Sequence, residues 1–140
     1  MEYDKNKHLE FIQNVVTRMN SNSFQIKTWT ISIVTGLFAI YAATNNPLFI
    51  SICLLPILLF WILDSYYLVQ ERKFRGLYDD VAMDIKIKSE TNPYNLNIGK
   101  YKKGKYRFLS VFFSVSMILL YLPLIIVIIW TFICVTKTCC

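Results

Sequence analysis

Two uncharged apolar runs, Trp29 to Thr44 and Leu48 to Leu63, are separated only by Asn45, Asn46 and Pro47, and a third, Phe108 to Thr136, follows a long polar interval. So short a connector forces neighbouring helices antiparallel, and the first two runs therefore predict a helical hairpin. Each run is ~24 Å long at ~1.5 Å per residue, against ~30 Å of hydrocarbon in a bilayer. Snorkelling of Lys27 and extension of the first helix through Phe24 and Ile26 make up the difference. The third run is longer than one span requires and too short for two, and Pro123 near its middle predicts a tilt or a kink. A cleaved signal peptide is not expected: the first run begins late, a second span follows at once, and no small-residue cleavage pattern is present.

Outside the runs the apolar period is helical. Leu9, Ile12, Val16 and Met19 fall at steps of three, four and three, which predicts an amphipathic helix between Asp4 and Asn20. After the second run nothing breaks the helix before Gly76, and Tyr67, Phe74, Tyr78, Val81 and Ile85 carry an apolar stripe beyond the bilayer. The hairpin brings this extension beside the N-terminal helix, so docking of the two is expected over an N-terminal helix lying on the membrane. Ser89 to Gly99, rich in Asn and containing Pro93, reads as a loop. The expected fold is an all-α membrane protein with three transmembrane helices, an N-terminal hairpin plus a C-terminal span, and cytoplasmic amphipathic helical extensions. Its segments are 1–26 (cytoplasmic helix), 27–63 (hairpin), 64–107 (cytoplasmic helix and basic loop), 108–136 (third span) and 137–140 (tail).

Composition supports the lipid reading, since 55% of the 140 residues are hydrophobic, more than a soluble domain of this size hides. Of fifteen Lys and Arg, fourteen precede the first span or lie between the second and third, and only Lys137 follows the third. By the positive-inside rule the N-terminus and the central segment are cytoplasmic, and the tail with Cys139 and Cys140 lies on the other side. Cys53 and Cys134 sit inside apolar runs, so the four cysteines form neither a disulfide framework nor a metal-ligand spacing. No cofactor is expected.

Candidate chemistry is sparse. Asp79, Asp80 and Asp84 lack the spacing and second acidic motif of a magnesium-diphosphate site, and a solvated helix face is the better reading. His8, the only histidine, belongs to no nucleophile motif, which argues against an enzyme. The basic residues are more informative. Arg72, Lys73 and Arg75 either form helix pairs with Glu71 and Asp79 or grip a phosphate. Lys100, Lys102, Lys103, Lys105 and Arg107, interleaved with Tyr101 and Tyr106, either track phosphates while stacking on bases or form a collar for anionic lipid. With the turn centred between Asn45 and Asn46, residue i faces residue 91 minus i, which sets Asp64 against Lys27. A carboxylate at that depth either takes such a partner, making a pair that could pass ligand binding on to the spans, or, if the turn shifts the register, each side chain snorkels separately to the headgroups. Ser32, Gly36, Ala39 and Ala43 line one face of the first span and admit close approach of another helix, either the second span or a neighbouring subunit. Ser110, Ser114 and Tyr121 on the third span either line a wet path or bond to their own helix.

Arg18-Met19, Asn22-Ser23-Phe24, Lys27 and Trp29, followed by Phe60 to Leu68 and Glu71 to Asp79, resemble the Hailong-type transmembrane effectors of bacterial anti-phage defence. The resemblance covers about the first 80 residues in charged and aromatic order; the loop and the third span match only in kind. It implies a homo-oligomeric, channel-like effector in the bacterial inner membrane, controlled by a nucleotide or single-stranded oligonucleotide from a partner nucleotidyltransferase and acting by depolarisation. Lys27, Asp64, Arg72 and Arg75 carry over by position, while Gly76 stands where a bulkier residue is expected. A non-conducting membrane anchor that recruits a soluble partner is the competing expectation.

Overall fold

Asp4 opens the first helix by accepting the backbone N–H groups of Asn6 and Lys7, as an N-cap carboxylate does for the unpaired donors of a helix start. The chain here is a computed structural model that describes residues 4–83 and 96–138. From the cap, α1 (Lys5–Thr44) runs unbroken for 40 residues, about 60 Å at ~1.5 Å per residue. The amphipathic segment and the first span are therefore one rod; no proline stands between Asn20 and Trp29 to part them.

Asn45 ends α1 with φ 52°, its N–H donating to the Tyr41 carbonyl, a left-handed cap that Asn tolerates better than most side chains. Asn46 then turns the chain by accepting the N–H of Leu48 at 3.0 Å. The second run departs from the single helix expected: α2 (Leu48–Ile52) and α3 (Leu54–Ala82) meet at Cys53. Pro56 supplies the reason, because its missing N–H and its ring both act on the carbonyl of Ile52, four residues earlier. Beyond Met83 the described chain resumes at Leu96 and leads through a 3-10 turn, Gly104–Tyr106, into α4 (Phe108–Phe112) and α5 (Val115–Thr138). The break in the third run falls at Phe113 and Ser114, whereas α5 carries Pro123 inside it.

Among the described residues there is no strand. Lys5–Thr44, Leu48–Ala82 and Val115–Lys137 are each long and apolar enough to cross a membrane, and only 17%, 28% and 11% of their apolar windows are buried by the chain itself. Leu55, Leu59, Leu119 and Trp130 stand exposed, an outward apolar surface that suits lipid and not water.

Two cores hold the helices together. Val34, Ile50, Cys53, Ile57, Met117, Tyr121 and Ile128 join α1, α2, α3 and α5. In the second core Ile12 and Val16 of α1 pack on Leu77 and Val81 of α3 with Tyr101. The predicted stripe is thus the docking face, and α1 lies along α3 at both ends. Lys5 Nζ donates to the Ala82 carbonyl at 3.0 Å, placing a cation at the carbonyl end of α3, where the helix dipole favours one. Ser32, Gly36, Ala39 and Ala43 are exposed, and a Cβ built on Gly36 meets nothing within 4 Å. The second span therefore does not use this face.

Candidate functional site

In the apolar half one charged pair is buried. Lys27 Nζ lies 2.7 Å from Asp64 Oδ2 and 2.8 Å from Oδ1, with the carboxylate 0% exposed and the lysine side chain 23% exposed. Ser23 Oγ donates to Oδ1 at 2.5 Å, and the Tyr121 hydroxyl donates to Oδ2 at 3.2 Å. One cation and two hydroxyls thus meet one carboxylate, the satisfaction that a charge removed from water demands. Ser23 and Lys27 come from α1, Asp64 from α3 and Tyr121 from α5, so a single polar knot ties the three membrane-length helices together.

Trp61 extends the knot into the third run. Its indole stacks between Phe112, 4.4 Å away, and Tyr121, 5.5 Å away. Its Nε1 donates to the Phe112 carbonyl at 3.2 Å, one of the groups that the end of α4 leaves without an intrahelical partner. Nearby Thr30 and Ser65, though buried, donate back to Ile26 and Trp61 of their own helices; the Thr30 hydroxyl also meets that of Tyr121 at the edge of the knot.

At the polar end, α3 passes straight through Gly76. A Cβ there would lie 2.6 Å from the Tyr106 hydroxyl oxygen and 3.1 Å from Tyr101 Cε1. Glycine is thus a notch in which two rings seat against the helix. Tyr101 is only 7% exposed and meets Tyr106 edge-on at 5.2 Å. The base-stacking expectation fails for Tyr101, because its ring is spent as an anchor that straps residues 96–107 to α3. Asp80 locks the strap: its Oδ2 accepts Lys100 Nζ at 2.5 Å and the Tyr101 hydroxyl at 2.7 Å. Burial, reinforced by Asp80, pushes the Tyr101 hydroxyl up to about 12, and the hydrogen bond to Asp80 raises Lys100 above its usual value. Both keep their protons at neutral pH, so the lock is not a switch in that range.

The strap delivers Lys105 to Arg72 and Arg75, and these three line one open cleft with Asp79. Arg72 Nη1 donates to the Lys105 carbonyl at 3.5 Å. Arg75 is aimed by Glu71, whose Oε1 lies 2.8 Å from both Nε and Nη2. Comparison with known protein families, curated proteins and solved structures found no match. Every role assigned to a side chain here therefore rests on geometry.

Of the basic residues singled out in the sequence, Arg72, Arg75 and Lys105 share the cleft, whereas Lys100 is turned into the Asp80 lock. Lys102, Lys103 and Arg107 are exposed and Lys73 is half-buried, and none of these four lines the cleft. Asp80 is not the solvated acid expected of that helix face, because it receives Lys100 and Tyr101. Asp84, the third acid of that group, lies outside the described residues, as do Ile85, Pro93, Cys139 and Cys140. His8 is a buried residue on the docking face of α1. Among the described residues no group of three acids, histidines or cysteines suits a metal ion.

Proposed function

We propose that this chain is one subunit of an oligomeric membrane effector of bacterial anti-phage defence. In this reading it forms an ion channel or pore in the cytoplasmic membrane, controlled by a nucleotide or single-stranded oligonucleotide that a partner nucleotidyltransferase makes. The observation that carries the proposal is the convergence of Arg72, Arg75 and Lys105 on one open cleft, on a helix that continues to the buried Asp64. Planar guanidinium groups beside an ammonium suit phosphate oxygens. The Hailong-type order of charges in the first 80 residues supports the same reading.

Three thin helices cannot enclose an aqueous path, so conduction requires a ring of subunits. The exposed small-residue face of α1 leaves room for a neighbour to approach. The ring multiplies the basic clefts around one axis, which raises the local concentration of an anionic ligand.

The ligand test is salt-dependent binding to the chain in detergent micelles. Changing Arg72, Arg75 and Lys105 together to Ala is expected to weaken binding of a single-stranded oligonucleotide at least ~10-fold and to flatten its log–log salt slope by ~2. A collar that serves only lipid headgroups predicts unchanged affinity and slope. Single-channel recording in planar bilayers separates the effector from a non-conducting anchor, for which no current is expected at any ligand concentration. Orientation is tested by cysteine labelling in intact cells: Lys102→Cys should resist an impermeant thiol reagent until the cells are opened. Ready labelling from outside reverses the topology.

A further inference from the structure

The basic cleft does not end at Arg75. On the far side of Arg75 and Asp79 lies a second open hollow, lined also by Gln13 and Val16 of α1 and by Tyr78 of α3. The two hollows share both residues, so they adjoin across Arg75 and Asp79, and a ligand that spans both meets a groove whose chemistry changes along its length. One end offers three cations. The other offers an amide, a phenol ring and an aliphatic wall, with the Asp79 carboxylate at the junction.

Asp79 is the informative residue. Arg75 turns to Glu71, four residues before it, and Asp79, four residues after it, has no ion pair among the described residues. A carboxylate facing a phosphate site repels the anion, and a groove built for phosphate or lipid headgroups alone is better without it. It is favourable where the ligand brings a hydrogen-bond donor, such as the amino group of a base. Gln13 is exposed, and its amide both donates and accepts, as the edge of a nucleobase requires. Tyr78 supplies an aromatic wall for a flat ring.

We infer that the groove between α1 and α3 holds one nucleoside phosphate unit, either free or within a strand. Its phosphate lies on Arg72, Arg75 and Lys105, its donor group at Asp79, and its base beside Gln13 and Tyr78. This inference rests on the phosphate-bearing ligand proposed above and adds recognition of the base. It also makes the ligand touch α1, α3 and the strap together, which phosphate bound at the basic end alone does not.

The experiment compares four probes on the full chain in micelles: inorganic phosphate, a mixture of nucleoside 5′-monophosphates, a single-stranded hexanucleotide and an abasic strand of equal length. Base-bearing probes are expected to bind at least ~10-fold tighter than their base-free counterparts. Gln13→Ala, at an exposed position, should shrink that advantage several-fold, and addition of Tyr78→Leu should abolish it, both without changing affinity for the abasic strand. Asp79→Asn should weaken the base-bearing probes while leaving the abasic strand bound as tightly or more tightly. A base-dependent advantage of the monophosphates over phosphate identifies a free nucleotide as ligand, and an advantage confined to the hexanucleotide identifies a strand. Equal binding of the hexanucleotide and abasic strands, with monophosphates no better than phosphate, overturns the inference and leaves a phosphate-only ligand standing. An advantage that survives Gln13→Ala undiminished overturns it as well. Failure of all four probes to bind removes the phosphate ligand too.

Discussion

Replacing Lys27 by Met is expected to cost the folded chain about 3–5 kcal/mol, because it leaves a carboxylate in the interior without its cation. Asp64 is 0% exposed, and after the substitution only the Ser23 and Tyr121 hydroxyls remain to hold it. The converse change is milder. Asp64→Asn keeps an acceptor for Ser23, and the Lys27 side chain, already 23% exposed, reaches water or headgroups along its own stem. About 1–2 kcal/mol is expected there, in the range of a modified buried hydrogen bond. Denaturation of the chain in micelles, followed by helix content, measures both. Exchanging the charges, Lys27→Asp with Asp64→Lys, should recover part of the loss of the worse single exchange. If Lys27→Met proves as stable as the parent, or the exchanged pair is no better than the worse single variant, the pair does not hold the spans. Tyr121 binds the same carboxylate from α5, so in the channel proposed above conductance should change along with stability.

The second large effect concerns Gly76. Alanine there is the milder change: its Cβ presses on the movable Tyr106 hydroxyl and, at 3.1 Å, on the Tyr101 ring, against roughly 0.5–1 kcal/mol of helix propensity gained. Leucine adds three further carbons where two rings already sit, an overpacking that costs about 1–3 kcal/mol if the rings stay. The rings are expected to leave instead and to take the strap with them. Trypsin should then cleave the Gly76→Leu chain at Lys102, Lys103 and Lys105 at least ~10-fold faster, since cleavage follows the population of the open form. Ligand affinity should fall as well, because Lys105 reaches the cleft only on the docked strap. Unchanged resistance to trypsin removes the notch as the anchor of this segment.

What the sequence made legible follows from connector length. Three residues join the first two runs, so register propagates reliably from Asn45 and Asn46 to Lys27 and Asp64, and the same hairpin brings the stripe of Ile12 and Val16 onto α3. No comparable constraint reaches the third run, which follows Asp64 across the long segment 65–107. The contact of Tyr121 with Asp64 and the stack of Trp61 on Phe112 therefore left no mark in spacing. Ser23 was more accessible, since it lies one helical turn before Lys27 on the same face. Alternation of Lys with Tyr between Lys100 and Arg107 is ambiguous in composition, because an aromatic that stacks on a base and one that anchors a segment look alike. The discriminating signal was Gly76, whose missing side chain is the space that the two rings fill. Pro56 marked a break that appeared just before it, while the break at Ser114 has no proline to announce it.

The continuity of α1 gives the molecule a mechanical property. Lys27, gripped by Asp64, acts as a fulcrum on a stiff beam: Gln13 lies ~21 Å from it on one side and Thr44 ~26 Å on the other, at ~1.5 Å per residue. With no proline in the beam to absorb a bend, a ~2 Å push at Gln13 swings the Thr44 end by ~2.5 Å in the opposite sense, a see-saw that spin labels at the two ends can follow. A modest adjustment in the groove is thereby expected at the opposite end of the hairpin to the extent that Val34, packed with Ile50 and Ile57, yields with the beam.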